Sequence, residues 1–406
     1  FNGTQDMSFS SRNVYLTGAG GPGFALKEAG SGTLSISGDT VEVAGKFEVG
    51  GFEKVVIAAE GDMRGGFGQV GSAVPESGDA TPGVRTTGDL ILRAAQIYPT
   101  TDGVLRFDSD RSIRVEQTGR RAAPLSAGGT LILEAPRIEQ AGTLRAPFGE
   151  IRLTATGYNV TDDSGAETFV PGSVALLPGS MTSTAADGRT ILYGYTYDGQ
   201  SWYAPTSAGT TGSTELSTPP EKRVSLSGDI VDVQEGATID VSGSGDVLGL
   251  EFVAGPMGQT NILDAPGNYA IVPAYGNGII APIDPLYNPG TSSDTVNSGT
   301  AAGYLPLGSS VWLAAFDGNP AGWYTLLPAE YALTPGGYLL SLAGDTPMTM
   351  EARRASDDSF LVLGRRGLSG TGITDQTLST WRLTSGSDVR KRSEFFETYG
   401  NSFFSS

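Results

Sequence analysis

The sequence predicts an all-β chain built around a parallel β-helix, a three-sided solenoid of about 20 residues per turn, with an inserted hairpin and a smaller antiparallel module. Three observations predict it. Short aliphatic alternations recur at near-constant spacing, each repeat carries the same internal offsets, and glycine is abundant, 59 of 406 residues, where tight corners are needed.

The repeat is read from the aliphatics. Leu131-x-Leu133-x-Ala135 returns 20 residues on as Ile151-x-Leu153-x-Ala155, and Leu90-x-Leu92-x-Ala94 and Val55-x-Ile57-x-Ala59 have the same form. Val14, Leu34 and Ile113 open shorter versions. Taking these starts as equivalent sets Leu34, Leu90 and Leu131 at the same station of successive turns. Each turn also has inner structure. Val41 and Phe47 follow Leu34 at +7 and +13, as Ile138 and Leu144 follow Leu131. Ile97 and Leu105 follow Leu90 at +7 and +15, as Val231 and Ile239 follow Val224. Alternation turns one side of each strand inward, and no single turn buries that side alone, so turns must stack. An antiparallel sandwich explains short strands but not shared offsets.

The organisation expected is a β-helix over 1–157, an inserted loop and hairpin module over 158–222, a continuation of the helix over 223–253, an antiparallel β module over 254–345 and a β-rich segment over 346–406. The glycine-rich stretch from Gly61 to Gly88 reads as a loop leaving the repeat, and the ladder is expected to stop from Thr161 to Glu221. Within that insert, Ile191 to Tyr203 alternates around Asp198-Gly199, the signature of a type I′ hairpin. The segments around Val311–Leu313, Gly322–Leu327 and Tyr331–Leu340 read as an antiparallel meander turning at Pro335-Gly336. No helix of twelve or more residues is expected.

Composition narrows the chemistry. The chain contains no histidine and no cysteine, which removes imidazole proton transfer, thiolate nucleophiles, disulfides and the usual transition-metal ligands. Its formal charge of −18 argues against nucleic-acid binding. No apolar run is long enough to cross a bilayer. The chain does not begin with Met and shows no signal peptide, so a mature or excised portion of a longer protein is expected. Gly18-Ala19-Gly20-Gly21-Pro22-Gly23 lacks the Gly-Lys-Ser/Thr ending of a phosphate loop.

The repeat around Gly129-Thr130-Leu131-Ile132-Leu133-Glu134-Ala135-Pro136, with Ala141-Gly142-Thr143-Leu144-Arg145-Ala146-Pro147, resembles those of filamentous-haemagglutinin-type exoproteins of bacterial two-partner secretion. Four further segments resemble the haemagglutinin-associated domain of unknown function: Gly236–Gly243 running into Glu251–Pro256, Tyr269–Pro273, Tyr324–Leu333 and Arg392–Thr398. The resemblance covers most of the chain from Gly88 onward. It implies an extracellular or cell-surface bacterial protein, an adhesin or biofilm-matrix component, whose full-length form has an outer-membrane secretion partner. The absence of cysteine suits a chain that crosses the outer membrane unfolded. The family carries no agreed catalytic residues to transfer.

Candidate sites are few. Tyr193, Tyr195, Tyr197, Trp202 and Tyr203 form an aromatic cluster in which the three hairpin tyrosines share one face. It is either a platform for stacking sugar rings or cross-strand packing that holds the hairpin down. Trp312, Trp323, Tyr324 and Tyr338 are expected to fill the core of the smaller module. Asp108 and Asp110 place two carboxylates on one side of an extended segment, whereas Asp162-Asp163 and Asp357-Asp358 would point oppositely. No metal or other cofactor is expected; the alternative weighed is a structural calcium at Asp108 and Asp110. Arg390-Lys391-Arg392 reads as a solvated edge, against a processing site or a contact with an anionic glycan. The function expected is therefore structural and adhesive, not enzymatic. A rigid shaft would display modules that contact surface glycans, matrix polysaccharide, cells or further copies of itself in a fibre. The alternative is a polysaccharide lyase or hydrolase working through carboxylates.

Overall fold

A computed structural model describes residues 3, 5–18, 25–65, 81–162, 164–204, 215–256, 258–276, 305, 309–348, 351–367 and 374–405. The chain is all-β with largely parallel sheets, and it divides into two compact units. The first comprises Phe1–Gly188 and Pro220–Gly245, the second Arg189–Pro219 and Asp246–Ser406.

The first unit is built from three parallel sheets that the chain visits in rotation. The first sheet has eight strands, running from Met7–Ser10 through Thr33–Gly38, Lys54–Ala59, Asp89–Ala94, Ser112–Gln117, Arg137–Ala141 and Ser173–Leu176 to Ile230–Val233. The second has seven, from Asn13–Leu16 to Thr238–Asp240, and the third six, from Lys46–Val49 to Arg223–Ser227. Period-two alternation sends one side chain of each pair inward, and the register puts like over like. In the first sheet Leu34, Val55, Leu90, Ile113, Ile138, Val174 and Val231 stand in one column. In the second, Val41, Met63, Ile97 and Leu144 do so, and in the third Leu105, Leu131, Ile151 and Val224. These columns merge into one aliphatic core. Each strand lends both its hydrogen bonds and its apolar face to the strand above, so removing one layer exposes two.

The repeat is real, but its phase differs from the expectation. Leu131 belongs to the third sheet while Leu34 and Leu90 belong to the first, so the three do not share a station. The offsets survive because each triplet steps through all three sheets: Leu34, Val41 and Phe47 begin in the first, Leu131, Ile138 and Leu144 in the third. Three strand types with the same aliphatic alternation are interchangeable to a pattern search.

Two expected interruptions also shrink. Asp62–Gly65 and Gly83–Thr86 are regular strands of the second and third sheets inside the glycine-rich stretch; residues 66–80 lie outside the described residues. Between Thr161 and Glu221 the ladder does not stop, because Ser173–Leu176 pairs with Arg137–Ala141 and Met181–Ser183 with Thr143–Arg145. That second strand hides from a hydrophobicity search because its inward residue is Thr182, buried beside the Gln140 amide. What does project from this unit is the antiparallel hairpin of Tyr158–Thr161 with Glu167–Val170. One layer sends no strand into the second sheet: Gln96–Tyr98 pairs directly with Thr143–Arg145. Residues 118–129 run outside it as a strap, with Ser126 Oγ donating to the Pro99 carbonyl at 2.7 Å and Arg121 3.5 Å from Asp62.

The second unit is mixed. Thr190–Tyr197 pairs antiparallel with Ser201–Tyr203 and parallel with Asp246–Val253, which in turn pairs antiparallel with Glu394–Tyr399. Asp246–Val253, expected to continue the first unit's repeat, therefore belongs here. A seven-stranded antiparallel sheet supplies the second core. It joins Ser310–Leu313 and Gly322–Thr325 to Phe360–Gly367 and Ser379–Ser385, so the expected boundary at 345 cuts through one sheet. Tyr331–Leu333 is a 3-10 turn rather than a strand. It feeds the turn at Thr334–Gly337, where Pro335 precedes Gly336 at φ 74° and the Gly337 N–H donates to Thr334 at 2.9 Å. No helix among the described residues exceeds five residues or is long and apolar enough to cross a membrane.

Candidate functional site

The hairpin of the second unit forms as its sequence demands. Asp198 and Gly199 both take positive φ, 50° and 62°, and the Gln200 N–H closes the turn on the Tyr197 carbonyl at 3.0 Å. Its tyrosines do not share a face, however. Gly194 adopts φ 72°, the pairing with Asp246–Val253 shifts register there, and the alternation breaks. Tyr193 is buried on one side of this bulge. Beyond it Tyr195 stacks on Tyr203, ring centroids 5.2 Å apart at 20°, and Tyr197 stands 63% exposed at the tip.

Trp202 leaves the predicted platform altogether. It is fully buried, donates its indole N–H to the Tyr193 carbonyl at 2.8 Å, and packs against Phe403 and Phe404 at 5.5 and 5.2 Å. A sugar reaches neither Trp202 nor Tyr193 without unfolding the hairpin. The surface left for contact is Tyr195, Tyr197 and Tyr203.

The carboxylates are engaged with arginine. Asp108 accepts from Arg106 Nε at 3.0 and 2.9 Å, and Asp110 lies 3.3 Å from Arg85. Their charge is directed to the guanidinium groups rather than to a shared point between them, and no cluster of three acidic side chains occurs among the described residues. Asp110 and Arg85 line an open cleft of about 580 Å³ with Glu28, Glu48, Thr87 and Arg111, whose walls alternate in charge. Asp162 closes its own hairpin, accepting from the N–H groups of Ser164 and Ala166; Asp163 lies outside the described residues. Asp357 is held at about 2 by hydrogen bonds from Ser359 and by Arg382 and Arg392. The basic run is paired throughout: Arg390 with Glu397, Lys391 with Asp388, Arg392 with Asp357. Residues 19–23 of the glycine-rich stretch near the start are outside the described residues.

Two buried polar groups escaped the sequence reading. Beneath the strap, burial raises the Asp62 carboxyl and the Tyr98 phenol, while Arg64 is clamped to Glu42 at 2.8 Å. Their partners lie on three different strands of one sheet, invisible to linear spacing. The cluster is covered, so it ties the strap down rather than meeting a substrate. In the second unit the Glu330 carboxyl is pushed up to about 7 by burial, with Asp264 adding to the rise, and its Oε2 has no partner.

The expected core of the smaller module holds for Tyr324 and Tyr338 but not for Trp312 and Trp323. Val311 and Leu313 point into the core, so Trp312 between them points out. The same parity turns Trp323 outward beside inward Tyr324.

No protein-family model, curated protein or solved structure matches the chain.

Proposed function

We propose that the three parallel sheets of the first unit are the faces of a three-sided β-helix, and that the chain is a structural, adhesive portion of a secreted bacterial exoprotein of the filamentous-haemagglutinin type. The observation that carries this reading is the set of in-register aliphatic columns, Leu34 to Val231 foremost, running through every layer. Such columns make a stiff shaft because each layer templates the next. The second unit would then be a displayed contact module, with Tyr195, Tyr197 and Tyr203 as a face for glycans of a cell surface or matrix. The family assignment and the cell-surface location rest on the sequence segments alone.

The non-catalytic reading is supported by the fate of the acids. Asp108, Asp110 and Asp357 hold arginines, and the raised carboxyl of Asp62 is covered by the strap. The test is a joint one. Purified chain is applied to a glycan array and incubated with acidic and neutral polysaccharides while reducing ends and unsaturated products are followed. Binding without product is expected. Catalytic release of oligosaccharide would replace this reading with the lyase or hydrolase alternative.

A further inference from the structure

The outward face of the seven-stranded sheet carries a second, different arrangement. Trp323, Trp312 and Arg365 sit side by side on three adjacent strands, Trp312 in register with both of the others. The Arg365 guanidinium lies 5.4 Å from the Trp312 ring centre and 5.5 Å from that of Trp323. All three residues are partly exposed.

Arg365, like the exposed Arg353 of the same sheet, holds no carboxylate among the described residues. On the same sheet Arg354 holds Asp358, Arg366 holds Asp345 and Arg382 holds Asp357, each within 3.0 Å. Arg365 has no ion pair or side-chain hydrogen bond among the described residues. Its Nε is buried without a partner, and its two Nη groups hold no hydrogen bond among the described residues. Indole faces fix the guanidinium plane but neutralise none of its charge. The arrangement is a cation with unused fork donors lying against two indoles.

We propose that Trp312, Trp323 and Arg365 form a binding site for a carboxylated sugar, a hexuronate unit within a glycan. The ligand chemistry follows from the parts. An indole offers area to the C–H face of a pyranose ring, and the paired Nη groups match the two oxygens of a carboxylate. A uronate presents both features a few ångströms apart on one ring. The chain's formal charge of −18 opposes polyanions of any kind at long range. A short uronate oligomer at physiological salt feels that distant charge only within about 8 Å, so the local cation decides. The site deepens the contact-module reading given above and uses the second unit alone.

The test is titration of the full chain with galacturonate hexamer by calorimetry, with tryptophan fluorescence as a second readout and the methyl-esterified hexamer as the neutral control. The acidic oligomer is expected to bind at least about tenfold more tightly than its ester. Arg365→Gln removes that preference, Arg365→Lys keeps part of it, and Trp312→Ala weakens both oligomers. Circular dichroism reports whether each variant is folded, and Arg365→Lys keeps the test open should Arg365→Gln fail to fold. The proposal is overturned if folded chain binds neither galacturonate hexamer nor hyaluronate at millimolar concentration. It is equally overturned if the affinity ignores Arg365→Gln, or if phosphatidylserine vesicles or a polyglutamate peptide bind in preference. Absence of uronate binding beside intact glycan-array binding leaves the adhesive reading standing, whereas turnover in the product assay removes that reading without touching this site.

Discussion

The two units solve the same burial problem in different ways. In the first, most layers repeat their neighbours: Leu34, Val55, Leu90 and Ile113 are interchangeable aliphatics in one column, and the polar groups on the outer faces pair between layers, as Arg106 does with Glu134. In the second, few positions repeat. Trp202 fills one hole, Trp381 another, and a single glycine at 194 decides where three tyrosines go. A periodic core tolerates exchange of like for like and fails when any layer is breached; a unique core hangs on a few large side chains. All four tryptophans, Trp202, Trp312, Trp323 and Trp381, lie in the second unit, so their emission reports on that unit alone.

That contrast can be broken from either side. The largest effect expected is from Leu131→Asp, which sets a carboxylate in the middle of the third sheet's column; loss of more than about 5 kcal/mol should abolish the β-sheet signal of the first unit in far-ultraviolet dichroism. Trp202→Ala should cost the second unit about 3–5 kcal/mol, seen as an earlier transition of the remaining tryptophans in urea. Leu131→Ala should cost somewhat less, about 2–5 kcal/mol, and leave that emission unmoved.

Glycine sharpens the comparison within one hairpin. A Cβ at Gly194 would lie 1.9 Å from the Tyr203 carbonyl oxygen, at φ 72°, whereas a Cβ at Gly199 meets nothing within 4 Å, at φ 62°. Gly194→Ala should therefore cost well above the ~1 kcal/mol expected for Gly199→Ala, which has conformational strain but no clash. Chemical denaturation of the two variants measures the difference.

Acid acts with opposite sign on individual carboxyls. Glu330 is raised to about 7 from 4.5, so the folded second unit holds that proton more tightly than the unfolded chain. The Glu330 contribution to that unit's stability should rise as pH falls from about 7 to 4.5, level off below, and be absent in Glu330→Gln. Glu116 and Glu150 of the first unit are lowered by hydrogen bonds from Arg93 and Arg152. Their contribution is complete above 4.5 and is lost as pH falls below it through the depressed values. The smallest effect is expected at Tyr197, where Tyr197→Ala should change stability by no more than about 0.5 kcal/mol.

Much of the first unit was legible because its physics is periodic. The +7 spacing found Ile97, Ile138 and Val231 correctly as the next strand of their turns. What the spacing lacks is an absolute phase, since Leu90 and Leu131 look alike and only backbone pairing tells their sheets apart. Thr182 was missed because a polar residue stands where the column continues. In the second unit the Asp198-Gly199 turn was legible as local chemistry, but the bulge at Gly194 was not, and without it the sequence leaves platform and packing open for Tyr193 and Trp202, which the structure buries. Trp312 and Trp323 carry the reverse lesson. Aromaticity suggested a core, while the parity of Val311 and Leu313 already turned them outward; Arg365 joins them through its register with Trp312, far along the chain.

The most direct test of stacked, parallel layers uses the fact that the chain has no cysteine of its own. Cysteine pairs replacing Arg114 and Glu139 in the first sheet, and Glu134 and Thr154 in the third, occupy positions facing outward in adjacent strands and in register. Mild oxidation should bridge each pair in the folded chain, while a pair at Arg93 and Glu134, one from each sheet, should stay reduced. Cross-linking of the mixed pair with the two in-register pairs left unbridged would contradict the arrangement of layers described here.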